Sequence, residues 1–171
     1  MFMMMPNRKL PIRKIISGGQ TGVDRAALDL GLSFSIPIGG WCPKGRLAED
    51  GPIPLFYPLQ ETPSSRFSQR TEWNVRDSDG TFVLTYDSPT GGTALTIRLA
   101  KHHHKPYLVL NLDQRSDATI VSSWLNQHDI RTLNIAGPRE STSPGIYESA
   151  YAFLHTFVHQ YVGKGISKLL G

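Results

Sequence analysis

Four glycine-rich turns carry the residues whose types and spacing suggest chemistry. Three of them, residues 17–22, 88–93 and 136–141, follow runs of apolar residues, and the fourth, residues 39–46, follows a shorter run. Glycine lacks a Cβ and readily adopts positive φ angles, so a ligand can approach the main chain closely at such turns. The recurrence of these turns in one short chain predicts a ligand that contacts the backbone.

Helices are predicted to follow these turns, and the first N–H groups of a helix have no partners within that helix. These groups and the positive end of the helix dipole bind anions, typically phosphate. Basic residues on or beside the turns can neutralise such a ligand, and arginine can donate two parallel hydrogen bonds to it. We therefore predict a phosphorylated ligand. The residues predicted to bind it are Gly18, Gly19, Gln20, Thr21, Gly22, Asp24, Arg25, Lys44, Arg46, Thr90, Gly91, Gly92, Thr93, Gly137, Arg139, Glu140 and Ser141.

The same turns also have a purely structural interpretation. Glycines are common at the turns of doubly wound proteins, and Thr21 with Asp24 has the spacing of an ordinary helix cap. The first turn lacks both the Gly-Lys-Ser/Thr ending of a Walker loop and the G-x-G-x-x-G dinucleotide motif. The recurrence of four turns with adjacent basic residues favours the ligand-binding interpretation.

Strands and helices alternate along the chain. Apolar runs predict strands at residues 12–17, 32–40, 82–86, 107–112 and 132–136. Helical spacing predicts helices at residues 21–30, 71–75, 93–103 and 118–127, and a last helix that is capped by Ser143 with Pro144 at its first position. Residues 41–66, rich in proline and glycine, predict a long ordered loop.

Continuously apolar strands that alternate with helices predict a mainly parallel sheet covered by helices on both faces. The predicted fold is therefore α/β, Rossmann-like and doubly wound. In such a sheet the turns that follow the strands emerge at the carboxyl edge, where ligands bind. The four glycine-rich turns are expected to meet there.

Composition and length predict one soluble domain. Of 171 residues, 39% are hydrophobic and 19% are charged, so we predict a frayed tail at residues 1–11 and a single domain over residues 12–171. No apolar run reaches the roughly 20 residues of a membrane span, and the start lacks the longer apolar core of a signal peptide. One cysteine, Cys42, excludes a disulfide within the chain. A cytoplasmic location is the resulting expectation.

Charge and aromatic spacing bear on partners. The net charge of +4 is too small and too dispersed to indicate nucleic-acid binding, so a phosphorylated small molecule is the predicted partner. Aromatic residues at helical spacing near the end of the chain predict either core or the face of a homo-oligomer. These aromatic residues are Tyr147, Tyr151, Phe153, Phe157 and Tyr161.

The loop over residues 41–66 contains two further candidates. Cys42 lies near Lys44 and Arg46, cations that would lower the pKa of its thiol and allow a thiolate to bind molybdenum. The alternative is a small buried residue. Glu49 and Asp50 could hold a Mg²⁺ ion that bridges to a phosphate, or they could pair with Arg46 and stabilise the loop.

A polar cluster of Arg70, Thr71, Glu72 and Asn74 precedes the strand predicted at residues 82–86. Thr71 is placed to cap a short helix. Asn74 could instead recognise the edge of a base or a pterin through its amide group. Arg70, Thr71 and Asn74, together with Glu49 and Asp50, are therefore candidates for contacts with a sugar, a base or the loop.

Four segments resemble the molybdenum carrier family, and they cover nearly the whole chain from about residue 12 to about residue 161. They read ISGGQTGVDRAALD, GGWCPKGRLAEDGPIP, RTEWNVRDSDGTFVLT and AGPRESTSPGIY. This family is a circularly permuted branch of a Rossmann-like superfamily that also contains the Lonely Guy phosphoribohydrolases. The resemblance implies a nucleotide-sized or pterin-nucleotide-sized ligand at the glycine turns, with the molybdenum cofactor as the family's named cargo.

The same relatives imply an enzymatic alternative, cleavage of an N-glycosidic bond in a nucleotide. Lonely Guy enzymes carry a Pro-Gly-Gly-x-Gly-Thr-x-x-Glu motif whose glutamate serves in the cleavage. The similar segment here begins at Thr90 and places Thr96 where that glutamate would stand, and a threonine is no acid or base near neutral pH. This departure favours a binding protein over an enzyme. A carboxylate could still come from Glu49, Asp50, Glu72 or Glu140.

Overall fold

The protein is described here by a computed structural model over residues 9–115 and 117–162. The predicted N-terminal tail therefore lies outside the described residues, except for residues 9–11. The strands are β1 (Lys14–Ile16), β2 (Ile38–Gly39), β3 (Trp41–Cys42), β4 (Leu47–Ala48), β5 (Gly51–Pro52), β6 (Gln60–Glu61), β7 (Gly80–Thr85), β8 (Tyr107–Asn111) and β9 (Thr132–Ala136). The helices are α1 (Val23–Ser33), α2 (Phe67–Arg76), α3 (Gly91–His102), α4 (Ala118–Gln127) and α5 (Ile146–Val162).

A five-stranded parallel sheet lies at the centre, in the order β2-β1-β9-β7-β8. Strand order reverses between β1 and β7, which both pair with β9. This architecture confirms the predicted Rossmann-like α/β fold. Because all five strands run the same way, the turns after β1, β7 and β9 emerge at one carboxyl edge.

The two faces of the sheet differ in polarity, which departs from the expectation of continuously apolar strands. Register places Ile15 beside Leu133 on one face, and both pack with α1, α4 and α5 in the main core. The opposite face carries Thr81 and Asn134, which are buried and joined by a 3.2 Å hydrogen bond from the Asn134 side-chain amide to Thr81 Oγ1. The strands therefore alternate between apolar and polar side chains at these positions.

The main core contains the aromatic residues of α5 that sequence spacing singled out. Phe157 is fully buried, and the other aromatic side chains pack against the core from partly exposed positions. Their neighbours include Leu133 and Ile135 on the sheet. No helix in the described part of the chain is long and apolar enough to cross a membrane.

Segment 41–66 is more ordered than a loop. Strand β3 pairs with β6 in parallel, and β4 pairs with β5 as a small antiparallel hairpin. A second apolar cluster joins this segment to α1 through Leu28, Cys42, Ile53, Tyr57 and Leu59. The segment is thus packed against the main body of the protein.

Four helix starts differ from the predicted ones, and one of these is α3, which begins at Gly91, two residues before the predicted start at residue 93. Helix α1 begins at Val23 with Gly22 as N-cap at φ 78° and no side-chain cap, so the prediction of Thr21 as its cap is wrong. Helix α2 begins at Phe67, so Thr71 lies inside it and not at its cap. Helix α5 begins at Ile146, beyond the predicted Ser143 cap, because the Glu140 carboxylate accepts hydrogen bonds from the backbone N–H groups of Gly145 and Tyr147.

Candidate functional site

A cleft of about 530 Å³ opens at the carboxyl edge of the sheet, between its polar face and helices α2 and α3. The turns after β1, β7 and β9 all contribute to it, so the structure brings three of the four glycine-rich turns together. The sequence-predicted residues that line it are Gly18, Gln20, Asp24, Arg70, Thr71, Asn74, Thr90, Gly91, Gly92, Thr93, Gly137, Arg139 and Ser141.

The fourth turn lies elsewhere. Gly39, Gly40 and Trp41 line a separate groove of about 260 Å³ together with Lys14 and Asp77. The chain leaves β2 directly into β3, which pairs with β6, and this pairing directs residues 41–46 away from the cleft. Lys44 and Arg46 are consequently absent from the lining.

The glycines at the cleft serve two different purposes. A Cβ at Gly18 would lie 2.5 Å from Nη1 of Arg70, so this glycine lets the guanidinium group reach the backbone. At Gly91, where φ is 51°, and at Gly92, a Cβ would meet nothing within 4 Å among the described atoms. The first turn of α3 therefore faces open space, and its leading N–H groups precede any partner within the helix.

Two arginines line the cleft. Arg70 is 8% exposed and donates a 2.7 Å hydrogen bond from Nη1 to the Gly18 carbonyl. Burial lowers the pKa of Arg70, the nearby Asp24 carboxylate opposes that change, and Arg139 lowers it further. Arg139 has a side chain that is 40% exposed, and its Nη1 lies 3.9 Å from the Glu49 carboxylate. Two guanidinium groups therefore lie close enough to repel each other across the lining of one cleft.

Asp24 is the buried carboxyl group of the cleft. Its Oδ2 accepts a 3.2 Å hydrogen bond from the backbone N–H of Gln20 and lies 3.8 Å from Arg70 Nη1. Burial raises the pKa of this carboxyl group, although Arg70 acts in the opposite direction. The expected capping pair with Thr21 does not form, because the Asp24 carboxylate accepts its hydrogen bond from the backbone N–H of Gln20 and lies beside Arg70.

Of the two polar atoms in the Gln20 side-chain amide, the oxygen is hydrogen-bonded and the nitrogen has no partner among the described residues. Its Oε1 accepts hydrogen bonds from the backbone N–H groups of Thr21 (3.0 Å) and Glu49 (2.9 Å). Its Nε2 is buried and has no hydrogen-bond partner among the described residues. Buried donors are nearly always paired in folded proteins, so an unpaired donor on a cleft-lining residue points to a ligand or an ordered water.

Arg25 and Arg46, two of the other predicted basic residues, bind the protein itself. Arg25 donates a 2.7 Å hydrogen bond to the Gly19 carbonyl and a bidentate pair, both at 3.0 Å, to Asp50. Arg46 donates to four backbone carbonyls within residues 53–59. Asp50 thus pairs with Arg25, and the alternative partner Arg46 is used elsewhere.

Glu49 links the turn after β1 to the turn after β9. Its carboxylate accepts hydrogen bonds from the hydroxyl groups of Thr21 and Ser141. Thr21 Oγ1 in turn accepts a 3.2 Å hydrogen bond from the backbone N–H of Glu140.

Among the described residues no group of three or more histidine, cysteine, aspartate or glutamate side chains is arranged to hold a metal ion.

The Asn74 amide is hydrogen-bonded to the protein backbone, and Cys42 is buried in an apolar cluster. The Asn74 amide accepts from the backbone N–H of Trp41 (2.8 Å) and donates to its carbonyl (2.9 Å), so both ends are occupied although the residue lines the cleft. Cys42 is fully buried in the second apolar cluster, outside the cleft lining. Burial raises the pKa of the Cys42 thiol, which is opposite to the lowering expected from Lys44 and Arg46.

Several lining residues were missed by sequence reasoning. Most of them lie outside the glycine-rich turns, and only the strand alternation could have indicated Asn134 and Thr85 as polar residues on an interior face. Ala136 and Pro138 lie in the turn at residues 136–141 but were not singled out there. An isolated aromatic such as Phe67 leaves no sequence signal. The missed residues are Phe67, Ser68, Thr85, Asp87, Leu95, Asn134, Ala136, Pro138, Thr142 and Ser143.

Comparison with known proteins gives two matches of this chain. The family model of the circularly permutated YpsA SLOG family matches residues 15–158. A crystal structure of a putative molybdenum carrier protein from Syntrophus aciditrophicus SB is 50% identical, with a TM-score of 0.86, and the match covers 89% of this chain and 98% of that one. No curated protein matches the chain significantly.

Proposed function

The chain belongs to the circularly permutated YpsA SLOG family, and from this premise we propose that its cleft binds a phosphorylated, nucleotide-like small molecule. The observation that carries the proposal is the presence of Arg70 and Arg139 in one cleft beside the open first turn of α3. Like charges held close together repel each other. A phosphate between the two guanidinium groups replaces that repulsion with charge-assisted hydrogen bonds.

Backbone and side-chain donors support the same placement. A Cβ at Gly91 or Gly92 would meet nothing within 4 Å among the described atoms, so a ligand can approach the backbone at the first turn of α3, where unpaired N–H groups and the helix dipole favour negative charge. Gln20 Nε2 is a buried donor without a partner among the described residues. A phosphorylated ligand would accept hydrogen bonds from these groups.

The cargo that we propose is the molybdenum cofactor, a pterin that bears a phosphate group. The 50% identical relative carries the molybdenum carrier name, and a cleft of about 530 Å³ lies within the range that small-molecule ligands occupy. The chain's one cysteine, Cys42, lies outside the cleft. The protein therefore holds the cargo by its phosphate and ring, and supplies no thiolate ligand to the metal.

The test is to identify what the protein carries. Mass spectrometry of the small molecules that copurify, with elemental analysis for molybdenum, is expected to show a phosphorylated compound in the wild-type protein. Arg139→Ala is expected to lose this compound, because the guanidinium group proposed to bind the phosphate is removed. The Arg139 side chain is partly exposed, so its removal does not open the core. Arg98→Ala on the exposed side of α3 is the matched control and is expected to retain it.

Two results would contradict the proposal. One is a wild-type protein that neither copurifies with a phosphorylated compound nor binds inorganic phosphate, ribose 5-phosphate or AMP in calorimetry. The other is equal retention of ligand by Arg139→Ala and Arg98→Ala. A phosphorylated compound without molybdenum would retain the binding function and remove the molybdenum cofactor as cargo.

A hydrolytic function is the second candidate, and one observation favours it. Asp24 is a buried carboxyl group in the cleft, 3.8 Å from Nη1 of Arg70, and burial raises its pKa; buried carboxyl groups in clefts are candidate acids or bases. In such a reaction water adds across the N-glycosidic bond, the sugar carbon takes the hydroxyl group and the base leaves with the proton. Thr96 cannot serve, because its hydroxyl group donates to the Gly92 carbonyl.

The hydrolytic candidate is tested by incubating the protein with AMP and GMP and measuring free base by chromatography. Release of base that is abolished by Asp24→Asn and retained by Glu49→Gln would establish it. The carboxylates suggested by sequence lie outside the cleft lining: Glu49 binds Thr21, Asp50 binds Arg25, Glu72 binds His103 and Glu140 caps α5. Absence of base release from the wild type would exclude hydrolysis of these two nucleotides.

A further inference from the structure

Phe67 is an aromatic residue whose position the fold does not explain. It is the first residue of α2, is 38% exposed and lines the cleft. It belongs to neither of the two apolar clusters in the described part of the chain. A large apolar side chain exposed inside a polar cleft often marks a binding surface.

Both cleft arginines contact the Phe67 ring. The guanidinium carbon of Arg70 lies 5.3 Å from the ring centroid, and that of Arg139 lies 5.8 Å from it. These are cation–π distances, and such contacts restrict the orientation of the ring. The phosphate position proposed above is therefore adjacent to an aromatic surface.

We propose that Phe67 determines ligand specificity by stacking against a planar aromatic ring that the phosphorylated ligand carries. This inference rests on the proposed function, because the two arginines place the phosphate beside the ring. Arg139 is the more exposed of the two, and its polar contact is the 3.9 Å approach to Glu49. When Arg139 turns toward a phosphate, the ring surface that it covered becomes accessible to the ligand.

The size of the cleft supports a ligand with two parts. A volume of about 530 Å³ is far larger than one phosphate group needs and falls in the range of drug-sized ligands. Asn74 cannot recognise a base edge while its amide binds the Trp41 backbone. Stacking on Phe67 thus selects flat aromatic rings in general, and not one particular base.

Calorimetry with AMP, GMP and ribose 5-phosphate tests this role. The wild type is expected to bind the two nucleotides more tightly than ribose 5-phosphate by roughly 10- to 100-fold, the effect of stacking one base. Phe67→Ala is expected to bring the nucleotide affinities down to that of ribose 5-phosphate, whose own affinity stays unchanged. Phe67→Trp is expected to retain the preference, and Phe56→Ala, at an exposed phenylalanine outside the cleft, is the matched control.

Three outcomes would overturn the inference. They are equal wild-type affinities for nucleotides and ribose 5-phosphate, an unchanged nucleotide affinity in Phe67→Ala, and an equal loss for all three ligands in Phe67→Ala. An equal loss for all three ligands would mean that Phe67 positions the two arginines and does not stack against the ligand. In each of these cases the wild type still binds phosphates, so the proposed function survives. A wild type that binds none of the three ligands or inorganic phosphate, and copurifies with no phosphorylated compound, removes both proposals.

Discussion

Glu49 is the residue that ties the turn after β1 to the turn after β9. Its carboxylate accepts hydrogen bonds from Thr21 and Ser141. Partial burial acts to raise the pKa of Glu49, but the hydrogen bonds from Ser141 and Thr21 outweigh it and lower that pKa from the usual 4.5. A carboxyl group with a lowered pKa in the folded state stabilises the protein above its unfolded pKa, and this stabilisation is lost as pH falls through the folded value.

We predict that Glu49→Gln reduces the free energy of unfolding at pH 7 by about 1 kcal/mol, the contribution of a hydrogen-bonded charge at a partly exposed site. The difference between wild type and variant should shrink as pH falls below about 4.5 and vanish at more acidic pH. Denaturant unfolding across this pH range measures it, with the exposed Glu148→Gln as control. A difference that stays constant with pH would show that the carboxylate charge is not involved.

Residue roles near the turns were only partly predictable from the sequence. Arg25 and Arg139 both lie beside glycine turns, yet Arg25 is held by Asp50 while Arg139 lines the cleft. Sequence distance to a turn does not determine the direction of a long side chain. Arg70 was recognised in a polar cluster, but its role depends on the missing Cβ of Gly18, a contact across 52 positions.

Among the elements, segment 41–66 depends most on one side chain. Arg46 donates from Nε and both terminal nitrogens to the carbonyl groups of Ile53, Pro54, Tyr57 and Leu59. These backbone carbonyls lie in a segment with only two-residue strands, which supply few hydrogen bonds of their own. The hydrogen bonds from the guanidinium group therefore take the place of the backbone hydrogen bonds that a longer sheet would provide.

We predict that Arg46→Ala lowers the free energy of unfolding by about 2–4 kcal/mol, because several charge-assisted hydrogen bonds to partly buried carbonyl groups are lost. Lys44→Ala, two residues away and exposed, is expected to change it by less than about 0.5 kcal/mol. Urea unfolding of both variants is the measurement. Equal stabilities would mean that the segment is held by the Leu28 and Cys42 cluster alone.

Element boundaries were predictable where local signals suffice. The bounds of α4 and β9 match the prediction residue for residue, since each has strong periodicity. Helix α2 is longer than the predicted 71–75, because it begins at Phe67 without a side-chain cap, so no capping residue marks its start in the sequence. The two-residue strands β3 to β6 were unpredictable, because they form through pairing and through Arg46 and not through local propensity.

At the scale of the whole molecule, the central sheet separates the apolar core on one face from the lining of the cleft on the other. Leu133 and Asn134 are neighbours on β9 and point to opposite faces. Leu133 is 1% exposed in the main core with α1 and α5. Asn134 is buried on the polar face, binds Thr81 and lines the cleft.

This division predicts opposite phenotypes for two adjacent substitutions. Leu133→Ala is expected to lower the free energy of unfolding by about 2–5 kcal/mol through a core cavity, with an unchanged affinity for AMP. Asn134→Ala is expected to lose only about 1 kcal/mol of stability but to weaken AMP binding roughly tenfold, because a polar group is removed from the cleft. Urea unfolding and calorimetry on the same preparations compare the two, and a loss of affinity in Leu133→Ala equal to that in Asn134→Ala would show that the two faces are coupled.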